Sequence, residues 1–391
     1  MKIRENGVIL SGTAERLPGT TGPDPAVGRG APAAEAAVRL GGLTKRFGPV
    51  VAVDRLDLEV RRGEMLALLG PSGCGKTTVL RCIAGFEDPD AGWVEIGGRV
   101  VSGGGARVPP ERRRAGFVFQ DLALFPHLSV ADNVGYGLRR RPDRRTRVER
   151  LLDLVGLAGY GDRMPHELSG GMQQRVALAR ALAPEPDIVL LDEPFSSLDA
   201  AQRTRLRFEL RDILRHAGAT AIFVTHDQEE ALTIADRVAV MVQGRIVQCA
   251  PPEVLYDEPA TPFVATFVGI ANLVHGELSG GVARTPLGPI RLASGSPYRR
   301  DGRALVVLRP EQLQAVPAAQ AGSGDGSLWQ IQGRRFAGSE ILLEVVDGSG
   351  LRLWCEADPD ARRLGTGEAV AVRLRGERTV AFAAGPTAAE S

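Results

Sequence analysis

Eight residues, Gly70-Pro71-Ser72-Gly73-Cys74-Gly75-Lys76-Thr77, have the spacing GxxxxGK[ST] of a loop that grips phosphate. Glycines let successive backbone N–H groups converge on phosphate oxygens, and a helix starting at the loop's end adds its positive N-terminus. In that pattern Lys76 reaches the β- and γ-phosphates, the Thr77 hydroxyl binds Mg²⁺, and Thr78 follows in the same cradle. The alternative is a plain glycine turn, but an apolar run precedes this loop and a helical run follows it. Farther on, Ile188-Val189-Leu190-Leu191 ends in Asp192-Glu193. A buried strand ending in two carboxylates delivers acids to the edge where α/β sheets bind ligands. Asp192 suits Mg²⁺ and Glu193 suits an attacking water; a capping or solvated acid pair is the alternative. Ser169-Gly170-Gly171 opens another helix, whose hydroxyl and N–H groups also suit phosphate. One chain cannot easily fold two helix N-termini onto one γ-phosphate, so a second subunit is the natural reader of this one.

The elements that must hold these groups are legible in outline. From Val38 to about Cys249 apolar strands alternate with amphipathic helices, which predicts an α/β domain over residues 38–250 with a largely parallel sheet. Residues 65–69, 187–191 and 220–224 read as buried strands and 77–84 as a helix; 130–156 reads as a helical lobe. Proline-punctuated short helices make residues 251–270 a connector. Beyond Ala271 brief strands split by glycine turns, such as Gly302–Leu308, Ile341–Val346 and Ala369–Leu374, predict a small all-β barrel or sandwich over 271–391. Residues 1–37, rich in Gly, Pro, Ala and Thr without periodicity, read as a disordered tail.

Composition narrows the class of partner. The 391 residues carry 48 basic and 47 acidic side chains, a net charge of +1, with 43% hydrophobic and 24% charged residues. Near-neutrality argues against a dedicated nucleic-acid binder. No apolar run approaches the ~20 residues of a membrane helix, and the first residues show no secretory apolar core. Cys74, Cys82, Cys249 and Cys355 lack paired CxxC spacing, which predicts reduced thiols in a cytosolic compartment. Only Lys2, Lys45 and Lys76 are lysine, arginine supplying the other basic residues, so a retained lysine is informative.

Leu168-Ser169-Gly170-Gly171-Met172-Gln173-Gln174-Arg175 resembles the signature of the ABC ATPases. That resemblance implies a P-loop ABC ATPase domain with a helical lobe, binding ATP and Mg²⁺, two copies clasping two ATP head to tail. It gives further residues roles in order: Phe47 stacking on adenine, Gln120 touching Mg²⁺ and sensing the γ-phosphate, Asp199 in a loop crossing the dimer, and His226 contacting the γ-phosphate. Lys76, Gln120, Glu193 and His226 would then carry hydrolysis. Taken alone, Phe47 reads more often as packing, Gln120 as a solvated strand end and His226 as a satisfied polar residue; their joint order and spacing carry the resemblance.

Importers are the subgroup most resembled. The chain has one nucleotide motif, and Val108-Pro109-Pro110-Glu111-Arg112-Arg113-Arg114 leads into Gln120 and Ala123-Leu124-Phe125-Pro126-His127-Leu128. In the importer subgroup that segment lies near the groove for a coupling helix of the membrane subunit, although Leu122 replaces a frequent Tyr. Residues 262–272 and Leu308-Arg309-Pro310-Glu311 resemble the OB-like TOBE regulatory domain of importer ATPases. The partners implied are a second copy, two integral-membrane permease subunits at the cytoplasmic face, and indirectly a solute-binding protein. The pattern is most like ferric-iron importers; polyamine, sulfate, phosphonate and sugar systems share nearly all of it. A nucleic-acid-linked ABC ATPase remains the alternative of another class, with Arg139-Arg140-Arg141-Pro142-Asp143-Arg144-Arg145 as its basic patch, against the plainer reading of a solvated loop and helix face. A chain that binds ATP as a regulator without driving transport is the third.

Overall fold

The computed structural model describes residues 35–138, 141–196, 200–322, 328–337 and 340–384. Most of the expected tail therefore lies outside the described residues, as do Asp199, Arg139 and Arg140. The chain opens with β1 (Ala36–Phe47), β2 (Val50–Arg61), β3 (Met65–Leu69) and α1 (Lys76–Ala84). Next come β4 (Ala91–Ile96), β5 (Arg99–Gly103), β6 (Ala106–Arg107), β7 (Ala115–Val118), and helices α2 (Val130–Val134), α3 (Arg144–Leu154) and α4 (Gly170–Leu182). Then follow β8 (Ile188–Asp192), α5 (Ala200–His216), β9 (Ala221–Thr225), α6 (Gln228–Ile234), β10 (Arg237–Val242) and β11 (Arg245–Ala250).

The central sheet has the order β11-β10-β3-β9-β8-β7, parallel throughout except for β11 at one edge. Strands β3, β8 and β9 are buried at every residue, because helices or the second sheet cover both faces. That is why they read as continuous apolar runs. Both β8 and β9 end one residue later than the sequence pattern suggests. Asp187 spends its carboxylate on Arg114 outside the ladder (2.8 Å), whereas Asp192 pairs with Val224 inside it. Helix α1 likewise starts one residue early, at Lys76.

The central sheet is largely parallel as expected, but residues 36–61 and 91–107 stand outside it. They form an antiparallel sheet, β2-β1-β4-β5-β6, packed on the other face of α1. Its signal was present: Leu56, Leu58 and Val60 point inward and alternate with outward Asp57, Glu59 and Arg61. Helices α2, α3 and α4 build the lobe. Among the described arginines of the basic stretch, Arg141 pairs with Asp143, Arg144 with Asp132 and Arg145 with Glu149. Those carboxylates neutralise it locally, which favours the solvated-face reading.

Short helices α7 (Pro252–Asp257) and α8 (Pro262–Phe267) lead into an all-β part. Its first strands are β12 (Asn272–Ser279), β13 (Val282–Thr285), β14 (Gly288–Leu292), β15 (Gly302–Leu308) and β16 (Leu313–Pro317). They are followed by β17 (Trp329–Ala337), β18 (Glu340–Val346), β19 (Arg352–Ala357), β20 (Ala369–Leu374), β21 (Arg378–Thr379) and β22 (Ala381–Ala383). Strands β16-β19-β18-β17-β20 close a barrel, and β21-β14-β13-β12-β15-β22 form a second sheet sharing its core. The Asn272 amide joins the two, donating to Trp354 O (2.8 Å) and accepting its N–H (2.7 Å).

Candidate functional site

Strand register brings the candidate residues to one edge. Leu69 pairs with Thr225, Val224 with Asp192, and Leu191 with Val118, so the C-terminal ends of β3, β9, β8 and β7 lie side by side. The glycine loop leaves β3, His226 follows β9, Asp192-Glu193 end β8, and Gln120 stands two residues beyond β7. This is the edge at which parallel sheets bind ligands.

The loop turns through Gly73 (φ +79°) and Gly75 (φ +105°), both in the left-handed region. Pro71, Ser72 and Gly73 are exposed, whereas Cys74 is buried and its thiol is pushed up by burial. Gly70 lies tight against the Met241 carbonyl, where a Cβ would stand 2.3 Å away. Gly75 caps α1 without any side-chain bond, leaving the helix N-terminus to the loop. Lys76 is only 5% exposed, and its Nζ donates to Gly70 O (2.7 Å) and Pro71 O (3.0 Å). A buried ammonium hydrogen-bonded to neutral carbonyls suits an anionic ligand able to replace them.

The Thr77 hydroxyl donates to Asp192 Oδ1 at 2.9 Å, while Thr78 is half-buried one residue on. Burial raises the Asp192 carboxyl above the ordinary range; the Thr77 hydrogen bond and Arg81 oppose, Glu193 adds, and Lys76 opposes. A desolvated carboxylate beside a hydroxyl is a hard-oxygen pair of the kind Mg²⁺ prefers. Glu193 holds φ +44°, pinned by its N–H donating to Val224 O (3.1 Å). An acid in that strained region is the type of outlier found at functional sites. Its Oε1 lies 3.2 Å from His226 Nδ1, on an imidazole whose side chain is 57% exposed.

Other predicted residues surround this centre. Phe47 is exposed at the end of β1, with the Lys45 ammonium 5.1 Å over its ring. Lys45 is itself tied to Asp88 O (2.8 Å) and Glu87 (3.2 Å). Sequence reasoning marked lysines as informative without giving Lys45 a task. Gln120 is exposed. Ser169 caps α4, its Oγ accepting the Met172 N–H at 3.4 Å, with Gly170 exposed beside it and Gly171 buried. No hydrogen bond among the described residues joins Ser169 to the glycine loop of its own chain. The polar ring of Arg207, Thr225, Asp227 and Glu230, whose Thr225 and Asp227 flank His226 in the chain, was also missed, because no short motif spans α5 and α6.

The family model described as ABC transporter matches residues 53–196. The Fe(3+) ions import ATP-binding protein FbpC of Mesorhizobium japonicum is 45% identical over 332 residues, covering 83% of this chain and 89% of that relative. The spermidine/putrescine import ATP-binding protein PotA of Rubrobacter xylanophilus is 45% identical over 352 residues, with 86% and 91% covered. Among solved structures, cbiO1 from Clostridium perfringens, described as part of the ABC transporter complex cbiONQ, superposes with a TM-score of 0.52 at 29% identity. That match covers 56% of this chain and 89% of cbiO1.

Proposed function

Because the chain belongs to the ABC transporter ATPase family, by relatives 45% identical over more than four-fifths of its length, we propose that it is the ATP-hydrolysing subunit of an importer whose solute is ferric iron. The observation that carries the ATPase reading is the pair of contacts at one sheet edge, Thr77 with Asp192 and Glu193 with His226, beside the phosphate loop. Ferric iron is supported by the FbpC relative together with the motif pattern of residues 108–128. The PotA relative, equally identical, makes polyamine import the second reading.

In this reading Lys76 exchanges its loop carbonyls for phosphate oxygens, and the N-terminus of α1 faces the same charge. Thr77 and Asp192, with Gln120, would hold Mg²⁺, which neutralises charge on the transferring phosphoryl group when bound. Glu193 accepts the proton of the attacking water, and His226 shares its carboxylate and reaches the γ-phosphate. Phe47 stacks on the base. Ser169, Gly170 and Gly171 of a second copy complete the site, with Asp199 crossing between protomers. The pair docks on two membrane permease subunits, and Asn133 fixes the loop at Phe125 for that contact by bonding Phe125 N (2.9 Å) and O (3.1 Å). Residues 38–250, 251–270 and 271–391 serve as motor, connector and TOBE-like regulatory part.

The test is Glu193→Gln. It retains shape and hydrogen bonding but cannot take a proton, so ATP binding persists, turnover falls about 10²-fold or more, and light scattering detects a nucleotide-dependent dimer. Normal turnover would remove Glu193 from its role. Uptake of radiolabelled ferric iron and of spermidine, in cells lacking the chain and complemented with it, separates the two solutes.

A further inference from the structure

Arg207 is buried to 3% exposure about two turns into α5, and its guanidinium pairs with Asp227, which caps α6, and with Glu229 and Glu230 of the first turn of α6. One terminal nitrogen lies 3.0 Å from Asp227 and 3.4 Å from Glu230, the other 3.3 Å from Glu229. Thr225 closes the ring from the opposite side: its hydroxyl donates to Glu230 and accepts the Asp227 N–H at 3.0 Å. His226 is thus the one residue between two that are tied together, and its own side-chain contact is the 3.2 Å approach to Glu193. Because the imidazole is exposed, its place is set by the backbone of 225–227 rather than by packing around the ring. Neighbouring positions on α5 brace it against α4. Leu206 lies where a Cβ on Gly171 would stand 2.9 Å from its Cδ1, and Glu209 pairs with Arg175 at 2.5 Å.

We propose that Arg207 is a positioning residue for hydrolysis, a clamp on α5 that holds His226 against Glu193. A buried guanidinium facing three carboxylates is strongly destabilising to break and geometrically specific, so it fixes the α6 start more sharply than apolar contact does. The proposal rests on the hydrolytic roles given to Glu193 and His226, and its test separates the two.

Arg207→Met, Arg207→Lys, His226→Ala and the double variant Arg207→Met/His226→Ala are compared in the full chain. ATPase kcat and KM, binding of a fluorescent ATP analogue and the thermal midpoint are measured on each. Arg207→Met is expected to lower kcat about tenfold at unchanged KM and analogue affinity. Arg207→Lys should recover part of the loss. In the His226→Ala background the Arg207→Met change should cost less than about twofold more, because both act through one imidazole. A folded Arg207→Met with kcat within about twofold of the parent, or losses that multiply in the double variant, overturns the clamp. Should Arg207→Met fail to fold, Thr225→Val opens the same ring from its other side and enters the same cycle. If His226→Ala itself hydrolyses ATP normally, the role of His226 falls and the clamp with it; that result is distinct from a stalled His226→Ala beside an unimpaired Arg207→Met.

Discussion

At the scale of single residues, the site holds charge whose burial opposes folding. Asp192 is buried to 8% exposure, and desolvation raises its carboxyl despite the Thr77 hydrogen bond. The unfolded chain releases that proton more readily, so ionisation favours unfolding. The penalty is absent below the ordinary Asp value, grows as pH climbs toward the raised folded value, and is constant above it. Asp192→Asn removes the charge and can still accept from Thr77. The nucleotide-free variant should therefore unfold a few degrees higher than the parent at neutral pH, and scanning calorimetry should see the gap close toward acid pH. Its Mg²⁺-dependent ATPase should fall about a hundredfold or more, since a neutral amide is a poor partner for a divalent cation. A midpoint unchanged or lowered at neutral pH would show that the buried carboxylate carries no such cost.

At the scale of elements, the loop between β3 and α1 makes unequal demands on its glycines. Gly73 and Gly75 both have positive φ, but a Cβ at Gly73 meets nothing within 4 Å, whereas one at Gly75 would stand 2.1 Å from the Ala52 carbonyl. Gly73→Ala should cost only the left-handed backbone penalty, about 1–2 kcal/mol. Gly75→Ala should cost more than that and displace the loop from β2, lowering ATP affinity as well as the denaturant midpoint; equal costs would contradict the packing. The sequence made this loop readable because glycine spacing and a lone lysine are local signals. Buried parallel strands β3, β8 and β9 were readable for the same reason, as apolar runs. The antiparallel sheet of residues 36–61 and 91–107 was not read, although β2 alternates, because its order β2-β1-β4-β5-β6 skips β3 and pairs strands on either side of α1. The His226–Glu193 contact and the strained φ of Glu193 were invisible for a deeper reason: both depend on the register of β8 against β9. Arg207 lay unmarked among many arginines, distinguished only by what α6 brings to it.

At the scale of the whole described molecule, the all-β part meets α7 and α8 through an apolar cluster of Ala265, Val307, Val380 and Phe382 and through polar side chains of the Leu308-Arg309-Pro310-Glu311 stretch, Arg309 foremost. Arg309, 5% exposed, donates to Ala265 O (2.8 Å), Ile270 O (3.2 Å) and Tyr256 O (2.7 Å), and lies 4.0 Å over the Tyr256 ring. The Tyr256 hydroxyl donates to Glu311 at 2.8 Å, and burial first, then that carboxylate, pushes its pKa upward. These bonds span the ends of α7 and α8, so one guanidinium satisfies carbonyls that the short helices leave open. Lysine lacks the fork needed to serve all three. Arg309→Lys should cost roughly 3 kcal/mol or more, since buried carbonyls lose donors. Hydrogen exchange should accelerate across residues 252–270 ahead of the central strands, while basal ATPase stays within about twofold because the sheet edge carrying Lys76, Asp192 and Glu193 draws nothing from this joint. Uniform destabilisation of the whole chain, with β3 and β8 exchanging as early as α7, would mean that the β part is folded into the ATPase core rather than latched to it. Local opening without loss of hydrolysis would show that the joint and the sheet edge carrying Lys76 are energetically separate.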